Sequence, residues 1–330
     1  MSEINPSETL LFLSTVYWAS RCLHVAAELG VADFLDSEPQ TAAQLAANIG
    51  VNAKPLHRIL RALVNRGVFE LKGGRFSHNA ASRLLRTDVD GSMRLRAMMD
   101  GLPMHWDAYR ELGSTLRTGR PAIEGVVKGS LFGYLGAHRD EARVFAGAMV
   151  GKSSAQISHV LAAYDFRRFK TIGDIGGGLG HLLEAVLETA PATKGVVFDL
   201  PEVIDQARPS AHSRITYVGG SFFEDRIPPC DAYMLMNVLH DWSDEESVAI
   251  LKNIQSAAPA SATFLIIEGI VDEESRGDFL IDCDIEMMVM TTGRERTRVE
   301  WEAVFQAAGL PLKRILQAGT WTAVIEAGAA

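Results

Sequence analysis

The chain has 330 residues, enough for about two domains, and its 47% apolar and 22% charged content is that of an ordinary globular protein. A net charge of −9 argues against nucleic acid as the main partner, and no run of 18 apolar residues announces a membrane span. The acidic, polar start (Ser2, Glu3, Asn5, Glu8) does not read as a signal peptide, and Cys22, Cys230 and Cys283 lie far apart without a CxxC pair, which predicts reduced, buried thiols in a cytoplasmic protein and no metal site.

The first third predicts helices and one winged segment. Leu11 to Leu29 is apolar at helical spacing, including Val16, Trp18, Leu23 and Val25. Thr41 to Ala47 reads as a short capped helix, Gly50-Val-Asn52 as a turn, and Lys54 to Val64 as a second helix with Leu56, Ile59, Leu60 and Leu63 on one face. Phe69 to Phe76 predicts a hairpin around Gly73-Gly74. That winged-helix order has two readings. One is DNA binding through Lys54, His57, Arg58 and Arg61; the other is a structural module for dimerisation, which the acidic chain favours. Residues 92–165 predict further helices, with breaks near Gly101–Pro103, Gly119–Pro121 and Gly125–Gly136.

From Thr171 the pattern changes. Apolar runs of strand length (Ile172–Ile175, Val196–Phe198, Ile215–Val218, Ala232–Met236, Thr263–Ile267, Trp321–Ile325) alternate with helical patterns. This predicts an α/β fold, a mostly parallel sheet with helices on both faces and a ligand beyond the carboxyl ends of its strands. Thr171-Ile-Gly-Asp-Ile-Gly-Gly-Gly-Leu-Gly-His181 reads as strand, glycine turn and helix start. The next strand ends on Asp199, a carboxylate able to accept both hydroxyls of a ribose. The dinucleotide fingerprint G-x-G-x-x-G fails, because its third glycine falls on His181 or Leu183 according to register. A nucleoside without a pyrophosphate fits better; an NAD site and a ligand-free loop are the alternatives.

His240, in Asn237-Val-Leu-His-Asp-Trp-Ser-Asp-Glu245, and Glu268 both follow predicted strands on the rim of the glycine turn. A histidine there can serve as a base near neutral pH, and a carboxylate such as Glu268 or Glu295 can fix its tautomer. The alternatives are a structural histidine and an Asp241 that caps the following helix.

Taken together, Asp174-Ile-Gly-Gly-Gly-Leu-Gly180, Phe198-Asp-Leu-Pro-Glu-Val-Ile204, Gly219-Gly-Ser-Phe-Phe223, Leu239-His-Asp-Trp-Ser-Asp244 and Gly293-Arg-Glu-Arg-Thr297 resemble the S-adenosylmethionine (SAM)-dependent O-methyltransferases of the plant caffeate and bacterial small-molecule class, which includes acetylserotonin O-methyltransferase. The resemblance runs over roughly residues 10–325. It implies a Rossmann-like SAM-binding domain with linker helices over 106–330 and a winged-helix dimerisation domain over 1–105, in a homodimer. His240 would be the general base, flanked by Glu268 and Glu295. Asp174, Gly176, Gly178, Asp199, Ser221, Phe222 and Met236 would hold SAM, and Met149, Trp106, Trp242, Asp284 and Met288 would line the acceptor pocket. The Met-rich run Met287, Met288, Met290 fits an apolar planar acceptor and a packed core equally. No metal is implied.

Two positions depart from the family pattern. Ser221 stands where an acid usually contacts the adenine, and Met236 where Lys or Arg is frequent. Both change the adenine end of the cofactor pocket. The leading expectation is methyl transfer to a hydroxyl of a small aromatic or polyketide-like molecule. The alternatives are N- or C-methylation, a non-methylating relative that keeps SAM, and a winged-helix regulator with a sensor domain.

Overall fold

The computed structural model describes residues 5–35, 38–207 and 212–328, so Ser2 and Glu3 of the polar start lie outside the described residues. The chain divides into two units, Met1–Trp106 with His138–Gly151, and Asp107–Ala137 with Lys152–Ala330.

In the first unit, α1 (Pro6–Glu28) begins at Asn5, whose side chain accepts the Ser7 N–H, with proline in the first turn. Its last turns bury His24, Ala26 and Ala27, whereas Leu10, Leu11, Phe12, Leu13, Tyr17 and Trp18 are exposed. By length and composition alone α1 is apolar enough to cross a membrane, a property that a search for unbroken apolar runs overlooks because Ser14, Thr15 and Ser20 interrupt it.

β1 (Gln40–Thr41) leads into α2 (Ala42–Ile49), which starts in a Thr41/Gln44 capping box and stops at Gly50 with φ +81°. α3 (Ala53–Val64) buries Leu56, Leu60 and Leu63 against Phe69 and Phe76. β2 (Glu70–Lys72) and β3 (Arg75–Ser77) form the expected hairpin, turning through two positive-φ glycines, and β1 pairs with β3 as a third strand. Two residues of β1 carry too little pattern to be seen in the sequence. α4 (Ala80–Arg83) and α5 (Arg94–Met99) follow.

Next come α6 (Pro103–Arg110), α7 (Leu112–Thr118), α8 (Leu131–Ala137) and α9 (Arg139–Ala163). α8 falls inside a predicted break. Leu131 and Leu135, one turn apart, are buried, and that shared face outweighs Gly133 and Gly136. The long α9 begins in one unit and ends in the other.

The second unit is built on β4 (Thr171–Ile175), α10 (His181–Thr189), β5 (Lys194–Asp199), α11 (Pro201–Ala207), β6 (Ile215–Gly219), β7 (Ala232–Met236), α12 (Asp244–Ala257), β8 (Thr263–Glu268), α13 (Phe279–Met290), α14 (Arg298–Ala308), β9 (Leu312–Gln317) and β10 (Ala323–Gly328). Among the described residues the strands form one seven-stranded sheet in the order β6-β5-β4-β7-β8-β10-β9. The first five are parallel; β10 runs antiparallel to both β8 and β9.

Alternate residues of the central strands serve opposite faces. Tyr233, Leu235, Phe264 and Ile266 pack with Leu251, Ile254, Trp301 and Phe305 of α12 and α14. Met234, Leu265 and Ile267 pack with Val160 of α9 and Leu183 and Val186 of α10. Strands buried on both faces read as unbroken apolar runs, which is why the sequence reveals them. β9 escaped notice because it is an edge strand carrying Lys313 and Arg314, charges that discourage further pairing. The last strand starts two residues later than predicted, leaving Trp321 half-exposed in the preceding turn.

Candidate active site

β4 is bonded to β5 on one side and β7 on the other, so the strand order reverses there and a crevice opens beyond the carboxyl ends. The register brings the ends into line: Ile175 lies opposite Phe198, Asp199 opposite Gly219, and Met236 opposite Ile267, with Glu268 ending the next strand. Gly176, Gly178 and Gly180 hold φ of +67°, +58° and +91°, a region glycine enters without strain. A Cβ on Gly176 would come 2.8 Å from Val238 Cγ2, whereas one on Gly178 would meet nothing within 4 Å. The first glycine permits close packing, and the second borders open space.

Asp199 is fixed from its own rim. The Gly178 N–H donates to its Oδ2 and the Leu200 N–H to its Oδ1, each at 2.7 Å. Asp174 lies buried at the base of the loop, and burial followed by the Asp199 charge pushes its carboxyl up to about 7. Its Oδ2 has no hydrogen-bond partner among the described residues.

His240 sits in a short 3-10 turn, Leu239–Asp241, with only 5% of its surface exposed. Its Nδ1 is 2.9 Å from Glu295 Oε1 and 3.7 Å from Glu268 Oε2, and its Nε2 is 3.7 Å from Asp241 Oδ1. Burial alone would lower the imidazole pKa. The charges of Glu268 and Asp241, with the hydrogen bond and charge of Glu295, outweigh it and push His240 up to about 9. Burial also works against the charge on Glu295, yet its bond to His240 holds that carboxyl below the usual range. Burial dominates at Glu268 and Asp241 and raises both.

The backbone around His240 is pinned on every side. Glu268 Oε1 accepts the N–H groups of Val238 and Leu239, each at 2.9 Å, while its Oε2 has no hydrogen bond among the described residues. Arg296, fully buried, donates to the carbonyls of Leu239 (2.9 Å) and Trp242 (2.7 Å) and pairs with Asp244 at 2.8 Å. Gly293 passes so close that a Cβ there would lie 1.9 Å from the His240 carbonyl oxygen. Asp284 Oδ1 accepts the Glu295 N–H at 2.8 Å and so steadies the segment bearing that carboxylate. Asp241 is not the helix cap: Ser243 caps α12 in a reciprocal box with Glu246.

At the far end of the crevice the Ser221 hydroxyl accepts the Phe223 N–H at 3.2 Å, and the Ser221 N–H donates to Asp225 Oδ2 at 2.8 Å. Asn253 donates to the carbonyls of Phe222 and Asp225 and holds this turn. Phe222, Phe223 and Phe132 surround Trp242, with ring centroids 5.7, 4.8 and 6.2 Å from it. Met236 is half-buried beside the lower core. On α13, Met288 is half-buried and Met290 belongs to the core.

Met149 and Trp106 belong to the first unit. Trp106 packs edge-on to His24 at 6.0 Å, under Arg21, in an apolar recess with Tyr17, Trp18, Cys22, Val25 and Ile59. Two pinning residues, Arg296 and Gly293, stand within a motif quoted for other reasons; a buried arginine between Glu295 and Thr297 has no periodic signature. Asn237, which follows β7 at φ +52°, carries no signal either.

Comparison with known proteins identifies the family. Family profiles match an O-methyltransferase dimerisation domain over residues 11–88 and an O-methyltransferase domain over residues 109–311. The chain is 37% identical to a phenazine O-methyltransferase of Lysobacter antibioticus, covering 97% of this chain and 96% of that one. It is 33% identical to an 8-amino-8-demethylriboflavin N,N-dimethyltransferase of Streptomyces davaonensis, covering 92% and 90%. The crystal structure of human N-acetylserotonin methyltransferase in complex with SAM superposes with a TM-score of 0.90 at 28% identity, over 100% of this chain and 99% of that one. The chain belongs to the SAM-dependent O-methyltransferase family, with S-adenosylmethionine as its cofactor and a dimerisation domain ahead of the catalytic one.

Proposed function

We propose that the protein transfers the methyl group of SAM to a hydroxyl of a small aromatic or polyketide-like molecule, with His240 as the general base. The observation that carries this reading is the 2.9 Å contact between His240 Nδ1 and Glu295 Oε1. It commits Nδ1–H to the carboxylate and leaves the Nε2 lone pair as the only ring position able to accept a proton. A phenol has a pKa of about 10, so a base that takes its proton during attack removes a large part of the barrier. SAM supplies a methyl group already activated by a sulfonium.

Residues of the crevice fit that cofactor. The open space beyond Gly178 leaves room for a ligand, and the unpartnered, buried Asp174 Oδ2 suits the ammonium of its methionine part. Asp199, at the end of β5, would accept the ribose hydroxyls, and the Phe222–Trp242 cluster and Met236 would pack on the adenine face. The Asp225 carboxylate accepts the Ser221 N–H and so enters the same turn from four residues on. The exposed apolar stretch of α1 lies within the dimerisation match, which supports a homodimer formed through it.

A nitrogen acceptor is the second reading, favoured by the N,N-dimethyltransferase among the relatives. Methyl-labelled SAM offered with matched phenols and anilines decides between them. The expected product is an aryl methyl ether, and His240→Ala lowers the rate by about 10²–10⁴-fold while SAM still binds. Label on nitrogen alone, or an unchanged rate in the variant, overturns the reading.

A further inference from the structure

The chain bends sharply where β7 gives way to the segment bearing His240. Asn237 still pairs with the sheet: its N–H donates to the Ile267 carbonyl at 3.1 Å and continues the parallel ladder with β8. Its own backbone is left-handed at φ +52°, and Val238 follows at φ −119°, ψ −53°. Among the described residues only Phe69 and Asn237 hold a positive φ without being glycine. Asparagine tolerates that region better than most side chains, and a β-branched residue does not.

A left-handed residue followed by a right-handed one points successive N–H groups to one side, a small concavity suited to an anion. The next two N–H groups, of Val238 and Leu239, both donate to Glu268 Oε1 at 2.9 Å. Glu268 is the β8 residue after Ile267, so its side chain takes up the donors that follow the last ladder bond. Held there, the carboxylate presents its other oxygen to the histidine, with Oε2 3.7 Å from His240 Nδ1. The Asn237 side chain secures the bend from α9. Its Nδ2 donates to Gln156 Oε1 at 3.0 Å, and Gln156 Nε2 donates to Thr322 Oγ1, just ahead of β10, at 2.7 Å.

We propose that Asn237 is a positioning residue for methyl transfer: its left-handed backbone aims two N–H groups at Glu268 and so fixes that carboxylate beside His240. Burial works against the charge on Glu268, and the Val238 N–H works for it. An ionised Glu268 in turn helps His240 keep its proton. The other charged groups facing this pair are Glu295 after α13, Asp241 in the His240 turn and Lys152 on α9, with Arg296 acting on Glu295. None of them is altered when Asn237 is replaced.

This rests on the reading of His240 as the base. The test follows kcat/KM for 2-naphthol against pH, with methyl-labelled SAM, in the wild type, Asn237→Val and Asn237→Gly. Valine cannot keep the left-handed backbone without strain, so the two N–H groups leave Glu268, its carboxylate gives up charge, and His240 releases its proton more readily. The rising limb of the profile is expected to move to lower pH by about one unit, with kcat lowered as well. Glycine enters the left-handed region freely, so Asn237→Gly keeps the limb in place and loses kcat only several-fold, through the missing bond to Gln156. A limb that stays in place in Asn237→Val while kcat falls makes the residue merely structural and overturns the proposal. So does a limb that moves to higher pH, or an Asn237→Gly profile shifted as far as that of Asn237→Val. Nuclear magnetic resonance titration of isotope-labelled histidine in the complexes with S-adenosylhomocysteine reads the same proton affinity without turnover, the His240 signal being the one missing from His240→Ala. Equal values in the wild type and Asn237→Val overturn the proposal. Absence of methyl transfer counts against the methyl-transfer reading, while the His240 titration still decides Asn237. If thermal melting shows Asn237→Val to be unfolded, Asn237→Ala carries the same strain in milder form and takes its place, with a smaller shift of the same sign.

Discussion

The two ends of the crevice are built on opposite plans. At the His240 end, side chains already satisfy the backbone: Glu268 accepts two N–H groups, Arg296 binds two carbonyls, and Glu295 holds the ring nitrogen. At the glycine end, Gly178 faces open space and Asp174 keeps a buried oxygen without a partner among the described residues. The first end is organised before any ligand arrives. The second leaves polar groups for the ligand to complete. A catalytic base gains from a fixed geometry, whereas a cofactor that must enter and leave at every turnover needs a site with groups in reserve.

Substitutions can break this contrast. The largest effect is expected at Gly293, where a Cβ would overlap the His240 carbonyl. Gly293→Ala shifts the turn bearing His240 and lowers kcat by about 10²-fold or more, with SAM affinity, read by calorimetry, largely kept. Arg296→Met removes the guanidinium's bonds to the carbonyls of Leu239 and Trp242 and leaves them the longer contacts with the Ser247 hydroxyl. Roughly 2–4 kcal/mol of stability is lost in denaturant melts, and kcat falls with it. At the other end, Gly178→Ala puts a side chain in open space but at φ +58°. The left-handed strain of about 1 kcal/mol appears as a several-fold weaker SAM Kd and little change in kcat at saturation. A Gly178 variant that lost kcat without losing SAM affinity would erase the distinction between the two ends.

The smallest effect concerns pH. His240 binds its proton more tightly in the folded chain than at its ordinary value of 6.5. Its contribution to stability is therefore fully present below 6.5 and is lost as pH rises through about 9. Melting temperatures of the wild type should decline more over that interval than those of His240→Ala.

The same contrast governs what could be read in the sequence. Glycine turns and fully buried strands leave local marks, so the loop from Gly176 to Gly180 and the strands from β4 to β8 were legible. So were His240, Glu268 and Glu295, because each follows a strand end or stands in a distinctive short motif. Long-range hydrogen bonds leave no such mark. Arg296 reaches Leu239 across the fold, and Gln156 reaches Asn237. α8 shows the same gap in reverse: two glycines suggested a break, and the burial of Leu131 and Leu135 overrode them.

The dependence of kcat/KM for the acceptor on pH, in the wild type and in Glu295→Gln, tests the central claim most directly. If the neighbouring carboxylates set the proton affinity of His240, the wild-type rate climbs with pH through an apparent pKa between 6.5 and about 9. Removing the Glu295 charge then shifts that limb to lower pH, because a group that raises the pKa is gone. The acceptor hydroxyl has its own titration, but that does not move with a protein substitution. A limb that stays in place in Glu295→Gln, or moves to higher pH, would contradict the account.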